Sequence, residues 1–268
     1  LLDALEALET HREAVIVAGA QAVYLRTGAV SIGIAPFTTD GDLAIDPSVL
    51  GDAPLLADAM RGADFIEWEA QPGTAEPGIW EKRVTIDGTE LLVPVDLIVP
   101  AGVAGAGRRG APLGPHGRRA ARRATGLEVA LFDHSPMAID SMQPSDPRRF
   151  EVNVAGEAAL LVAKAHKLHD RAASPRPDRL DDKDAADVFR LMQTTSPDEV
   201  GRRLAELRAQ AVAEPVIDAA STYLAELFSP QGDGTRLAVR ALRLAVPEAR
   251  VTAIIAAYVE ALGRESAA

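Results

Sequence analysis

Two aspartates, Asp40 and Asp42 in "TTDGDLAI", stand two positions apart at the entrance of an apolar run. In a strand, residues i and i+2 share a face, so these carboxylates would lie side by side, about 6–7 Å apart at Cα. Carboxylates that close repel and raise one another's pKa unless a cation sits between them. The alternative is local: an Asp-Gly pair that simply turns the chain in solvent. A calcium loop is not supported, because position 44 is Ala where a third ligand is needed and no glycine or glutamate follows at the required offsets. A third acid, Asp96, lies alone inside the apolar "LLVPVDLIVP". A buried carboxylate must be paired or bound to a cation. Either a core arginine partners it, or it completes an all-oxygen triad with Asp40 and Asp42. Hard oxygen donors of this kind suit Mg²⁺, or Mn²⁺ in its place, with coordination positions left for substrate phosphates.

Gly19, in "AVIVAGAQA", ends a buried run and opens a helical pattern. Such a junction is often only a tight turn, but it also points backbone N–H groups and the helix dipole at an anion. Thr38 and Thr39 precede the aspartates, placed either to bind a phosphate or to cap the strand. A second polar group lies in the C-terminal half, where Lys164 and Arg171 are seven apart on one helix face and Asp184 and Asp187 are three apart on another. Spacing alone allows a structural salt-bridge network between two antiparallel helices.

The elements that must position these residues can be outlined. A short helix at 2–11, a strand at 14–18 and a helix at 19–28 are followed by a loop with Pro36, then a strand at about 40–46 and a helix at 54–62. "DFIEWEA" and "IWEKRVTIDG" alternate with period two, and Asp87-Gly88 signals a hairpin into the strand "TELLVPVDLIV". Residues 101–126, rich in Gly, Ala, Pro and Arg, read as a long loop or a mobile helical insert, and "LEVALFDH" reads as a further β segment. Helices follow at 156–172, 182–193, 197–210, 213–228, 234–244 and 247–263, with Pro175 and Pro177 separating the first two. The expected fold is α+β: a mixed-sheet domain over 1–150, then an all-helical domain over 151–268.

This order of parts resembles the nucleotidyltransferase fold shared by DNA polymerase β-like enzymes. Its signature, hG-[GS] … D-h-[DE]-h … a later strand carboxylate, reads here as Gly19-Ala20 … Asp40-Gly41-Asp42-Leu43 … Asp96. The C-terminal half is similar to the AbiEii/MenT-like group of bacterial toxin nucleotidyltransferases. The matching residues are Glu157, Lys164 and Arg171 on one helix, then Lys183, Asp184, Asp187 and Val188 on the next, with Lys183 where the group usually has Arg. The resemblance implies transfer of NMP from an NTP, with Mg²⁺ held by Asp40, Asp42 and Asp96 and with Asp96 as base. It also implies that Lys164 reaches the triphosphate, that Lys167 or Arg171 neutralises phosphate charge, and that Asp184 orients Lys164 or the nucleotide. The implied acceptor is RNA, at a tRNA 3′ end, and the implied partner is a cognate antitoxin. Ala20 departs from the pattern by lacking a hydroxyl, which Gln21 or Thr38 could replace. Gly41 is unusual inside a strand and places the aspartates at the strand's very start.

Composition sets bounds on partners. The formal net charge of -11 opposes nucleic-acid binding except at a local basic patch. One exists: no acid lies between Asp96 and Glu128, while Arg108, Arg109, Arg118, Arg119, Arg122 and Arg123 do. Arg118, Arg119, Arg122 and Arg123 are therefore the RNA-backbone candidates, with a solvated loop as the alternative. Cysteine is absent, which leaves any metal to Asp, Glu or His. No apolar run reaches the roughly 18 residues of a spanning helix, and the charged opening "LLDALEALETHREAV" does not read as a signal peptide. A cytoplasmic protein without membrane contact is the expectation. A small-molecule or protein nucleotidyltransferase and a catalytically silent nucleotide-binding module are the alternatives.

Overall fold

The computed structural model describes residues 1–28, 38, 40–86, 88–174 and 182–267. Thr39, Pro36, Pro175 and Pro177 lie outside the described residues. The chain divides into two compact units. The first comprises Leu1–Gln21, Thr38–Ala124 and His134–Ala155; the second comprises Thr125–Asp133, Gly156 onward and, among the described residues, 22–28.

The first unit is built on one mixed sheet. Its strands are β1 (Val15–Ala18), β2 (Gly41–Ile45), β3 (Phe65–Glu69), β4 (Ala75–Ile86), β5 (Thr89–Pro100), β6 (Arg122–Ala124), β7 (His134–Asp140) and β8 (Arg149–Ala155). They run in the order β3-β4-β5-β2-β1-β8-β7, with β6 paired to β5. β1, buried at every position, pairs antiparallel with β2 and parallel with β8. β2 and β5 are parallel, whereas β4 and β5 form the antiparallel hairpin expected from Asp87-Gly88, with Gly88 at φ +77°. Helix α1 (Leu2–Ala7) and helix α3 (Leu56–Gly62) belong to this unit, and Leu43, Ile45, Leu56, Met60, Trp80 and Leu97 are fully buried in it. His116 ties a loop to α3: its Nδ1 accepts from the Leu56 N–H at 3.0 Å, so its Nε2 donates to the Gly51 carbonyl at 2.9 Å. Helix α2 (Gly19–Thr27) follows β1 directly.

The second unit is helical. Helices α4 (Glu157–Ala172), α5 (Asp182–Thr194), α6 (Pro197–Leu207), α7 (Glu214–Leu227), α8 (Asp233–Leu242) and α9 (Glu248–Ala267) match the expected periodic stretches closely. The α4 N-terminus is satisfied by the Asp133 carboxylate, which accepts from the Ala159 N–H at 3.0 Å and is held by Arg203 Nε at 3.0 Å. Ser196 caps α6 in the usual way, accepting from the Glu199 N–H at 3.4 Å.

Three expectations need correction. "LEVALFDH" is not a strand: Glu128–Leu131 forms a single 3₁₀ turn, and β7 begins only at His134. The apolar run is buried there, with the Glu128 carboxylate accepting from the Gly126 N–H at 2.7 Å, and short apolar runs do not distinguish strand from turn. β7 and β8 are additional to the strands read from sequence; β7 is largely exposed and carries Pro136, which suits a sheet edge. The stretch 101–126 is not wholly loop, since β6 lies within it.

Candidate metal and nucleotide site

The aspartates are not in a turn. β2 starts at Gly41, so Asp40 immediately precedes the strand and Asp42 is its second residue. Gly41 carries no positive φ, and an added Cβ would find its nearest neighbour, Val95 Cγ2, at 3.6 Å. This glycine is therefore accommodated strand backbone rather than a forced bend.

Register brings the third carboxylate alongside. Asp42 pairs with Asp96 across the parallel β2–β5 ladder and with Ala18 across β1. Partners in register point to the same face, about 4.8 Å apart between strands. The next residue after Ala18 is Gly19, at φ +64°. A Cβ at Gly19 would lie 1.9 Å from Asp42 Oδ2, so only glycine leaves room for the carboxylate over the strand-to-helix junction. The three features recognised separately in the sequence, Gly19, Asp42 and Asp96, are thus adjacent in one place. Ala20 turns a buried methyl into the core. Thr38 donates its hydroxyl to the Asp40 carboxylate and, at 3.4 Å, to the Asp40 carbonyl.

Asp96 has an arginine partner. Arg122 donates to Asp96 Oδ2 through Nε at 2.9 Å and Nη2 at 2.6 Å. Burial pushes the Asp96 carboxyl above the ordinary aspartate range; Arg122 opposes this, and the negative charges of Asp42 and Asp40 add to it. Asp42 makes no hydrogen bond or ion pair through its carboxylate among the described residues. Among those residues no three carboxylates or imidazoles close around a single metal position. The donors do suit a cation that takes one or two carboxylates and fills its other positions from phosphate and water, as Mg²⁺ does. The like charge that raises Asp96 is also what a cation there would neutralise.

The arginine-rich segment is largely committed within its own unit. Arg109 pairs with Glu76, Arg119 with Glu67 at 3.3 Å and with the Ala75 carbonyl at 2.8 Å, and Arg123 with the carbonyls of Gly107 and of Ala101, the latter at 3.1 Å. Arg108 and Arg118 make no such bonds among the described residues. The pairing of Arg122 with Asp96 was half legible: a lone strand acid implied an arginine, but 26 residues of chain separate the two.

The helical unit holds the other group. Lys164, only 3% exposed, donates from Nζ to Asp184 Oδ1 at 2.7 Å and Asp187 Oδ2 at 2.6 Å. Lys167 Nζ lies 3.2 Å from Asp184 Oδ1, and Arg171 binds the other Asp184 oxygen. Burial alone would raise Asp184, but Lys164, Lys167 and Arg171 outweigh it and hold the carboxyl well below its ordinary range. Burial would likewise lower Lys164, yet Asp184 and Asp187 keep it protonated far above neutrality. Its ammonium is enclosed between two helices, while Lys167 and Arg171 retain exposure of 39% and 30%.

No family model and no curated protein matches the chain. Among solved structures it is similar to an antigenic nucleotidyltransferase-like protein from Paracoccidioides brasiliensis, at 16% identity over 81% of this chain and 92% of that one, with a TM-score of 0.40. That likeness is too distant to carry an argument about activity. Among the described residues no helix is long and apolar enough to cross a membrane.

Proposed function

We propose that this chain is a metal-dependent nucleotidyltransferase, which moves NMP from an NTP to an acceptor hydroxyl and releases pyrophosphate. One observation carries the reading: Asp42 and Asp96 face each other in register, with the Asp42 carboxylate seated on the glycine that opens α2. Asp42 and Asp96, with Asp40 beside them, would hold Mg²⁺ or Mn²⁺, which supplies charge neutralisation at the phosphates and acidifies the acceptor hydroxyl. Asp96, whose proton affinity is raised by burial and by Asp42 and Asp40, is the base for the hydroxyl proton. The N–H groups at the start of α2, from Gly19 and Ala20, and the Thr38 hydroxyl are the donors for phosphate oxygens. Lys164 orders α4 against α5 through Asp184 and Asp187; Lys167 and Arg171, the partly exposed cations of that cluster, are the ones we assign to phosphate charge.

The acceptor we propose is RNA, at a tRNA 3′ end, with the chain as toxin of a toxin–antitoxin pair and a protein antitoxin as its partner. The motif resemblance across Glu157, Lys164, Arg171, Asp184 and Asp187 supports this, and Arg108 and Arg118, the two arginines of the 101–126 stretch without a side-chain bond among the described residues, are the candidates for an RNA backbone. A second reading, a cationic small-molecule acceptor, is favoured by a cavity of about 600 Å³ in the sheet unit lined by Phe65, Ile66, Glu67, Glu69, Glu81 and Arg61. Incubation with each labelled NTP, Mg²⁺ and total tRNA separates the two. Label on RNA that disappears in Asp40→Ala and Asp42→Asn supports the first reading. Undiminished labelling in both variants, or none with any NTP and any acceptor, overturns the enzyme.

A further inference from the structure

Arg122 reaches Asp96 through an exchange of strand partners. Along one edge of β5, the pairing with β4 ends at Ile79↔Asp96, and β6 takes over at Ile98↔Arg122. Gly78 makes room for the exchange: at φ +73°, a Cβ there would lie 2.2 Å from the Arg122 nitrogen and 2.6 Å from the Leu97 carbonyl oxygen. Arg122 pairs two residues beyond Asp96 and therefore shares its sheet face, which is also the face of Asp42.

The contact is one-sided. Both guanidinium donors, Nε and Nη2, go to a single oxygen, Oδ2, at 2.9 and 2.6 Å. Asp96 Oδ1 and Arg122 Nη1 make no hydrogen bond among the described residues. The Arg122 side chain is 30% exposed, so it can turn away from Asp96 without opening the core. A guanidinium on Asp96 competes with any divalent cation for that carboxylate, both by occupying Oδ2 and by like-charge repulsion in a partly buried place. Once turned away, its planar fork matches phosphate oxygens better than any other side chain does.

We propose that Arg122 is a displaceable counter-ion of this site: it holds Asp96 in the metal-free protein and moves to the phosphates of the nucleotide when a divalent cation takes the carboxylate. The inference rests on the metal-and-nucleotide reading above and assigns Arg122 to the nucleotide phosphates rather than to an RNA backbone. It couples the order of binding, since the arginine is released for the nucleotide only when the cation arrives.

The test is a Mn²⁺ titration of the full chain, with free Mn²⁺ read by electron paramagnetic resonance. Wild type, Arg122→Gln, Arg122→Lys and Asp42→Asn are compared. Trp80 serves as the folding control, because its Nε1 donates to the Ala120 carbonyl at 3.1 Å, two residues from Arg122. In a Trp68→Phe background, unchanged Trp80 emission certifies that this segment is in place. Arg122→Gln is expected to bind Mn²⁺ about tenfold more tightly than wild type, as one like charge leaves the site. The same variant is expected to bind tripolyphosphate in Mg²⁺ about tenfold more weakly, as a charge-assisted fork is lost. Arg122→Lys falls between on both. Arg122→Gln binding Mn²⁺ no more tightly than wild type, while Asp42→Asn abolishes binding, overturns the inference and leaves the metal reading standing. Unchanged tripolyphosphate affinity overturns the transfer to phosphate. Asp42→Asn binding Mn²⁺ as well as wild type overturns both the metal reading and this inference.

Discussion

The two charged clusters of this protein are built on opposite plans. On the sheet, Arg122 donates to Asp96 alone of the three aspartates, and burial with the neighbouring charges of Asp42 and Asp40 raises the proton affinity of Asp96. Between the helices, Asp184 and Asp187 face Lys164, with Lys167 and Arg171 added on Asp184, and the surroundings depress the Asp184 carboxyl. In the first, Asp96 keeps a raised proton affinity in spite of its arginine; the second sets three cations against two carboxylates and is closed off around Lys164. A cluster that satisfies itself in the core holds helices together. A carboxylate left with raised proton affinity on the sheet, as Asp96 is, is where the cation proposed above would add charge.

The sharpest way to break this contrast is to remove one charge from each cluster. Lys164→Met leaves the buried Asp187 carboxylate without its cation, while Asp184 keeps Lys167 and Arg171, and is expected to cost about 3–5 kcal/mol in urea unfolding. Asp42→Asn is expected to leave stability unchanged or slightly raised while abolishing Mn²⁺ binding. Equal losses from both would erase the distinction. Gly19→Ala comes next. Its methyl would collide with the Asp42 carboxylate in a left-handed backbone conformation, for an expected loss of about 1–3 kcal/mol, and Mn²⁺ affinity should fall with it. Retained affinity would show that Asp42 need not sit on this junction.

The smallest effect is the pH dependence, and the two clusters should give it opposite signs. Asp184 titrates below its unfolded value, so its contribution is present above the ordinary aspartate range and is lost as pH falls through the depressed folded value. Asp96 titrates above its unfolded value, so the native state binds the extra proton and stability declines as pH rises from the ordinary range through the raised value. Denaturation midpoints measured from acid to neutral pH should therefore lose their acid limb in Asp184→Asn and gain relative stability near neutrality in Asp96→Asn. A common slope change in both variants would contradict the assignment.

Much of the candidate site was legible because each part has its own local signature. Gly19 ends an apolar strand and opens a helix, Asp40 and Asp42 have strand spacing, and Asp96 is the single acid in an apolar run. The C-terminal helices were legible for the same reason, since their apolar period of 3.6 is written over ten to twenty residues. β7 and the 3₁₀ turn at Glu128–Leu131 were not, because one is a mostly exposed edge strand and the other is buried on all sides; neither carries a usable period.

The sequence by itself determined the chemical inventory: carboxylates without thiols, a glycine at a strand–helix junction, and two helices with complementary charges. Tertiary structure alone decided which charges meet. The β2–β5 register placed Asp42 beside Asp96, and the opening at Gly78 let β6 bring Arg122 to the same carboxylate across 26 residues. Pairing between strands is set by long-range register and steric room, which no local pattern encodes. Lys164 was named from its spacing, but only packing revealed that its charge is spent inside the helical core.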